Sequence, residues 1–212
     1  MFLSYSTHPD IQKIQKGLLQ FFIQCIVAAI AYLVIRTDII VLKNGLSENS
    51  LTEYYQQFLL LVVIVSFAYI AVVNKKARAF ATLIIGFFSC MFIRESDGVL
   101  DKVYHGFWLV PALIVAFTCL FLAFKNRKGL LFTSARFFDS RYFYTLSCAL
   151  VIILVFSRLA GMNYLWQTLL DGHYIRTIKN LAEEGTELLG YSLLAYSALG
   201  FGIEVHRLQK HS

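Results

Sequence analysis

Charge is what this sequence has least of. Asp, Glu, Lys and Arg make up 15% of its 212 residues, against roughly 25% in an ordinary soluble domain. Hydrophobic residues make up 58%, and the mean hydropathy is +0.64. A soluble protein of this size has no interior large enough to hide so much apolar surface, so the bilayer has to act as solvent. Proline is nearly absent, with two residues. There is no Gly/Pro linker, no low-complexity stretch and no internal repeat. The length allows one domain. Six spans of roughly 20 residues would leave only tails and short loops, which excludes a separate soluble catalytic domain.

Several chemical motifs are missing as well. The four cysteines, Cys25, Cys90, Cys119 and Cys148, lie in separate apolar segments with no CxxC pair. Disulfides and a zinc ribbon are therefore not expected, and small buried side chains are the plain reading. No HExxH is present, and His105 has no histidine four residues on. Membrane phosphatases of the phosphatidic-acid type need a Pro-Ser-Gly-His segment. Diheme cytochromes need paired histidines inside spans. Rhomboid-like proteases need Gly-x-Ser, a small residue next, and a histidine in another span. This chain meets none of these patterns: Gly45-Leu46-Ser47 and Gly190-Tyr191-Ser192 are followed by Glu48 and Leu193.

What is present is a series of six apolar segments, near 17–35, 57–73, 79–93, 106–124, 142–156 and 188–203. They predict an all-α, polytopic transmembrane bundle. The first follows Lys13 and Lys16 but is long enough to span and lacks a small-residue cleavage site, so it reads as a retained helix rather than a signal peptide. The third and fifth are short and are expected to extend outward, carrying Arg94 and Arg158, whose long side chains can reach the interface.

The charges sort between the two sides of such a bundle. Twelve Lys/Arg fall on the side that holds both tails, the loop at Lys75–Arg78 and the loop at Lys125–Arg141. Seven fall opposite: Arg36, Lys43, Arg94, Lys102, Arg158, Arg176 and Lys179. The acids reverse this, with three on the first side and ten on the second. Lys/Arg enrichment marks the cytoplasmic side, so both termini are expected there, in a bacterial inner membrane or its equivalent. The net charge of +6 then reflects topology and not nucleic-acid binding. Leu130, Leu131, Phe132, Phe137 and Phe138 sit among basic residues in the fourth loop, which reads as an ordinary basic loop at the headgroup layer.

The outer loops carry turn signals at Asn44-Gly45, Glu48-Asn49-Ser50 and Asp171-Gly172. From Tyr174 onward, Ile175, Ile178, Leu181 and Ala182 recur at helical spacing. This helix is expected to run into the sixth span or to bend near Gly185.

Two polar groups point to function. After the third span, Asp97, Asp101 and His105 are spaced i, i+4, i+8. If the fourth helix starts near Asp97, they share one face with Trp108 beyond them. Before the sixth span, Glu184, Glu187 and Tyr191 share a face, and Glu183 pairs with Glu187. Carboxylates with an imidazole can perform acid–base work or hold a cation, and Arg94 or Arg158 can hold an anionic group. The candidate catalytic residues are Asp97, Asp101, His105, Glu184 and Glu187. The candidate ligand contacts are Arg94, Arg158, Glu95, Glu183 and Tyr191. No metal or cofactor is specified. His173 is a weaker candidate, and His8, His206 and His211 lie in the tails. The function expected is an outward-facing pocket that binds or processes a lipid-like or small anionic ligand. The alternatives are a scaffold or subunit of a membrane complex, or a channel or carrier. Expected partners are membrane lipids, and a membrane protein or a second copy of the chain.

Overall fold

The computed structural model describes residues 9–44, 46, 50–125, 127–171, 173 and 175–210. The turn signals at Gly45, Glu48, Asn49 and Gly172, Ser47 of the Gly45-Leu46-Ser47 stretch, the helix onset at Tyr174, and His8 and His211 lie outside the described residues. Among the described residues the chain is mostly helical and has no strand. Helix α1 (Pro9–Arg36) continues through a π-helical turn, Thr37–Leu42. Helices α2 (Leu51–Val73) and α3 (Arg78–Glu95) follow. A single turn, α4 (Asp97–Leu100), precedes α5 (Leu109–Lys125) and α6 (Leu130–Phe138). Helix α7 (Arg141–Val151) passes through a second π-helical turn, Ile152–Phe156, into α8 (Ser157–Ala160). The short α9 (Asn163–Leu170) leads to the long α10 (Arg176–Lys210).

Local sequence explains several boundaries. Ser50 caps α2, its hydroxyl accepting the Glu53 N–H at 3.2 Å. Ser140 caps α7 in the same way, accepting from Phe143 at 3.3 Å. Each replaces a partner that the first turn of a helix lacks. Helix α10 has 35 residues, about 52 Å at 1.5 Å per residue. That exceeds a hydrocarbon core of roughly 30 Å, so one end of α10 must stand clear of it.

Four stretches among the described residues are long and apolar enough to cross a membrane: Asp10–Leu42, Leu51–Val73, Arg141–Ala160 and Arg176–Lys210. Helices α5 and α6, bent by 111°, count as a fifth if taken together. Helices α3 and α5 have 18 and 17 residues, about 27 and 26 Å, at the lower limit of spanning length. The apolar surface supports a membrane setting independently. Helix α1 exposes Ile14, Leu19, Phe21, Phe22 and Tyr32 and buries Ala31. Such a face is stable only in an apolar surrounding.

The bundle is centred on α10, which packs against α1, α2 and α7, while α3 lies between α2 and α5. Gly190 lets α7 approach α10: a Cβ there would stand 2.5 Å from Ile153 Cγ1. Phe67 is the centre of an aromatic cluster, with Phe80, Phe88, Phe137 and Phe201 at ring separations of 6.1–6.4 Å. These rings occupy the half of the bundle near the loops rich in Lys and Arg. Two of the cysteines differ from the expected burial. All four are free, and Cys25 and Cys148 are exposed on the bundle surface. Cys90 and Cys119 are part-buried, and the Cys90 thiol donates to the Ala112 carbonyl at 3.3 Å. Sequence hydropathy identifies a span but not which of its faces meets a neighbour.

Candidate functional site

At the acidic end of the bundle, α2, α3, α8 and α10 enclose a polar cavity of about 710 Å³. Helix α10 supplies its longest wall. Arg176, Lys179, Asn180, Glu183, Glu184 and Glu187 all line it, at helical spacing. The apolar residues of the same segment point away: Ile175, Ile178 and Leu181 are 54%, 37% and 40% exposed. The helix expected from their spacing is present, yet their stripe is its outer face.

The floor is a charge and hydrogen-bond network. Arg158 donates to Glu183 Oε1 at 3.1 Å and pairs more closely with Glu187 Oε1. Glu183 also takes Lys179, at 2.9 Å. The Glu187 side chain is only 3% exposed. The Ser157 hydroxyl lies 2.6 Å from the Ile153 carbonyl and 3.2 Å from Glu187 Oε1, and its single proton serves one acceptor at a time. The π-helical turn before Ser157 adds a residue to the helical repeat and places Ser157 and Arg158 beside α10. Such insertions often re-aim side chains at functional sites. From α3, Glu95 Oε1 accepts from Arg94 at 3.2 Å and from the buried Tyr191 hydroxyl at 3.1 Å. From α2, Gln56 donates to the Glu184 carboxylate at 3.2 Å and to its backbone carbonyl at 3.3 Å.

Asp38 holds the rim in place. This carboxylate is fully buried. It accepts from Asn44 Nδ2 at 2.7 Å, Leu51 N–H at 3.0 Å, Thr52 N–H at 2.6 Å and Thr52 Oγ1 at 2.5 Å. Four donors compensate the desolvation of one charge and tie the end of α1 to the start of α2. The loop between them lines the cavity with Asn44, Leu46 and Ser50.

The site residues expected from sequence divide into two groups. Arg94, Glu95, Asp97, Arg158, Glu183, Glu184 and Glu187 all line the cavity, and Tyr191 lies beneath it. Asp101 and His105 do not. The expected stripe of Asp97, Asp101, His105 and Trp108 on one helical face does not form. Helix α4 ends at Leu100, and α5 begins only at Leu109. Asp101 turns back to accept the Gly106 N–H at 3.1 Å, and Gly106 has φ of +85°. His105 is fully exposed and lies 3.2 Å from Asp101. The pair closes a loop rather than facing the cavity. His173 is exposed and does not line it either.

Sequence reasoning missed Gln56, Arg176, Lys179 and Asn180 as cavity residues and Asp38 as the rim clamp. Two signals were available. The polar stripe from Arg176 to Glu187 has the same helical period as the apolar one opposite. The order Ser50-Leu51-Thr52-Glu53 is a capping-box pattern that marks the start of α2.

Among the described residues no group of three or more His, Cys, Asp or Glu is arranged to hold a metal ion. Comparison with family models, curated proteins and solved structures finds no match.

Proposed function

We propose that this chain is a multi-pass protein of the cell membrane, a bacterial inner membrane or its equivalent. It has six spans, both termini in the cytoplasm, and a polar cavity that opens outward to bind a small ligand or lipid headgroup carrying a cationic group. The Lys/Arg distribution supports the orientation. Six spans require α3 and α5 to cross although short, which end-placed Arg78, Arg94 and Lys125 assist by reaching toward the interfaces.

The observation that carries the ligand reading is an excess of acid. Among the described residues, six carboxylates and four cations line the cavity. Arg94, Arg158 and Lys179 are already engaged by Glu95, Glu183 and Glu187. No ion pair among the described residues engages Asp97 or Glu184. A purely anionic ligand would have to displace carboxylates from their partners. A zwitterionic one fits better, its ammonium toward Glu184 or Asp97 and its anionic group toward Arg176 or Arg94. An acid–base step, if the ligand is processed, falls to Glu184 and Glu187, because His105 faces away.

A second reading, a subunit of a larger membrane complex, is favoured by one feature. An apolar groove of about 730 Å³ runs between α2 and α10, along Leu61, Val65, Leu199 and Gly202. A carrier or channel is disfavoured by the packed core under the cavity, where Leu60, Val63, Phe67, Leu188, Tyr191 and Leu194 are all fully buried.

The test is native mass spectrometry of the full chain released from lipid nanodiscs, beside an Asp97→Asn/Glu184→Gln variant. A small zwitterionic or cationic species should be retained by the wild type and depleted at least about tenfold in the variant, as expected for losing charge-assisted contacts. Equal retention in both, or a bare chain in both, would sink the proposal.

A further inference from the structure

The opposite end of the bundle has a cavity of another kind. It measures about 580 Å³ and lies between the loop joining α2 to α3, helix α6 and the last turns of α10. Among the described residues its charged lining is Lys75, Lys76 and Arg136, and no carboxylate lines it. None of the three cations takes part in an ion pair among the described residues. The remaining wall is largely apolar: Phe132, Phe201, Val205 and Leu208. The volume falls within the range of roughly 300–1,000 Å³ usual for ligand sites.

The walls are held by specific contacts. Asn74 Oδ1 accepts the Lys76 and Ala77 N–H groups at 3.0 and 3.2 Å, which shapes the loop that presents both lysines. Thr133 donates to the Lys76 carbonyl at 3.3 Å, which ties α6 to that loop. Gly129, at φ of +86°, begins α6 against the same carbonyl, and a Cβ there would lie 2.8 Å from it. Phe137 is buried in the aromatic cluster, 5.2 Å from Phe80 and 4.8 Å from Phe201. Helix α6 is thus fixed from two sides, with Phe132 and Arg136 one turn apart beside the cavity. An ordinary basic loop needs none of this architecture.

We propose that this cavity is a binding site for an anionic phospholipid. Its phosphate is held by Lys75, Lys76 and Arg136, and the first part of an acyl chain lies against Phe132, Val205 and Leu208. The site stands at the end of the bundle where the chain's Lys and Arg concentrate, so it meets the headgroup layer on that side. Basic pockets between spanning helices recognise acidic headgroups there through charge and through phosphate hydrogen bonds. The apolar wall distinguishes a lipid from a free phosphate, which would have no use for it. The site rests on the membrane-spanning reading above but shares no residue with the acidic cavity, so the two ligand proposals are tested separately.

The experiment places the full chain in nanodiscs containing equal amounts of phosphatidylglycerol and phosphatidylcholine, then counts retained lipids by native mass spectrometry. The wild type should retain phosphatidylglycerol preferentially. A Lys75→Gln/Lys76→Gln/Arg136→Gln variant should lose that preference by about tenfold or more, at roughly one favourable contribution per cation. Lys75→Arg/Lys76→Arg/Arg136→Lys should keep it, which separates lost charge from lost fold. Lys125→Gln/Lys128→Gln, outside the cavity, should leave it unchanged. Inorganic phosphate at millimolar concentration should not displace the lipid. Loss in the outside variant equal to that in the triple variant would reduce the effect to overall loop charge and overturn the proposal. So would displacement by phosphate, or no preference in the wild type.

Discussion

Helix α10 passes through two chemically opposite environments, and the contrast explains how the molecule is built. In its first twelve residues most polar side chains face inward, to the cavity, and Ile178 and Leu181 face out. From Leu188 onward Leu188, Leu194, Ala198 and Phe201 turn inward and are buried, with Ser192 and Ser197. The first half is held by charge pairs around a space, and the second by close packing around Phe67. Charge pairs specify geometry at a high desolvation cost. Apolar and aromatic contacts are individually weaker but numerous. A ligand site needs the first kind of order, and a stable anchor for it needs the second.

The comparison can be broken at either half. The largest effect is expected from Phe67→Ala, which empties the centre of the aromatic cluster and should destabilise the fold by roughly 3–5 kcal/mol. Unfolding in detergent, followed by circular dichroism, measures this. A loss under about 1 kcal/mol would mean that the cluster is not the anchor. Next is Arg158→Met. It leaves the buried Glu187 without its guanidinium and should cost roughly 2–4 kcal/mol, reduced from a fully buried pair because Arg158 is part-exposed. The Arg158→Met/Glu187→Gln double variant should recover most of that loss. Strict additivity in the double-mutant cycle would remove the pair from the account. Third is Gly190→Ala, whose methyl would press on Ile153 and should cost roughly 1–3 kcal/mol. Combined with Ile153→Ala, which removes Cγ1, it should cost less than the sum of the two single changes, and strict additivity would place the strain elsewhere. The smallest effect is expected from Asp101→Asn. It disturbs only an exposed loop and should change stability by less than about 0.5 kcal/mol, with no change in species retained at the acidic cavity.

How much of this the sequence carried can be followed residue by residue. The long apolar helices are legible because apolar runs of spanning length have few alternatives, whereas the short α6 and α9 fall in stretches whose sequence reads as loop. The charge asymmetry separates the two ends and sets Glu183, Glu184, Glu187, Arg94 and Arg158 at a similar depth, but only the fold brings them around one cavity. The Asp101–His105 stripe was not legible, because it depended on where α5 starts. That boundary is set by Asp101 bonding back to Gly106, a local side-chain choice that periodicity does not encode. Asp38 was hidden for another reason. Its four donors come from Asn44 and from the start of α2, and only the closed loop brings them together. The basic cavity looks like a plain loop in the sequence because its apolar wall, Phe201, Val205 and Leu208, comes from α10, more than sixty residues away in the chain.

The central claim is that the acidic end is a wet, negatively charged receptor open to the outside. Its most direct test uses Thr177→Cys, on the cavity wall, in a chain whose four native cysteines are replaced by serine or alanine. Cells expressing it are treated with membrane-impermeant methanethiosulfonates, one cationic and one anionic, and labelling rates are compared at low ionic strength. The account predicts labelling from outside intact cells, with the cationic reagent faster by about tenfold, the size of effect a charged cleft has on association, and most of that advantage lost in Asp97→Asn/Glu184→Gln. Equal rates for the two reagents, a faster anionic reagent, or labelling only after the cells are opened would contradict it.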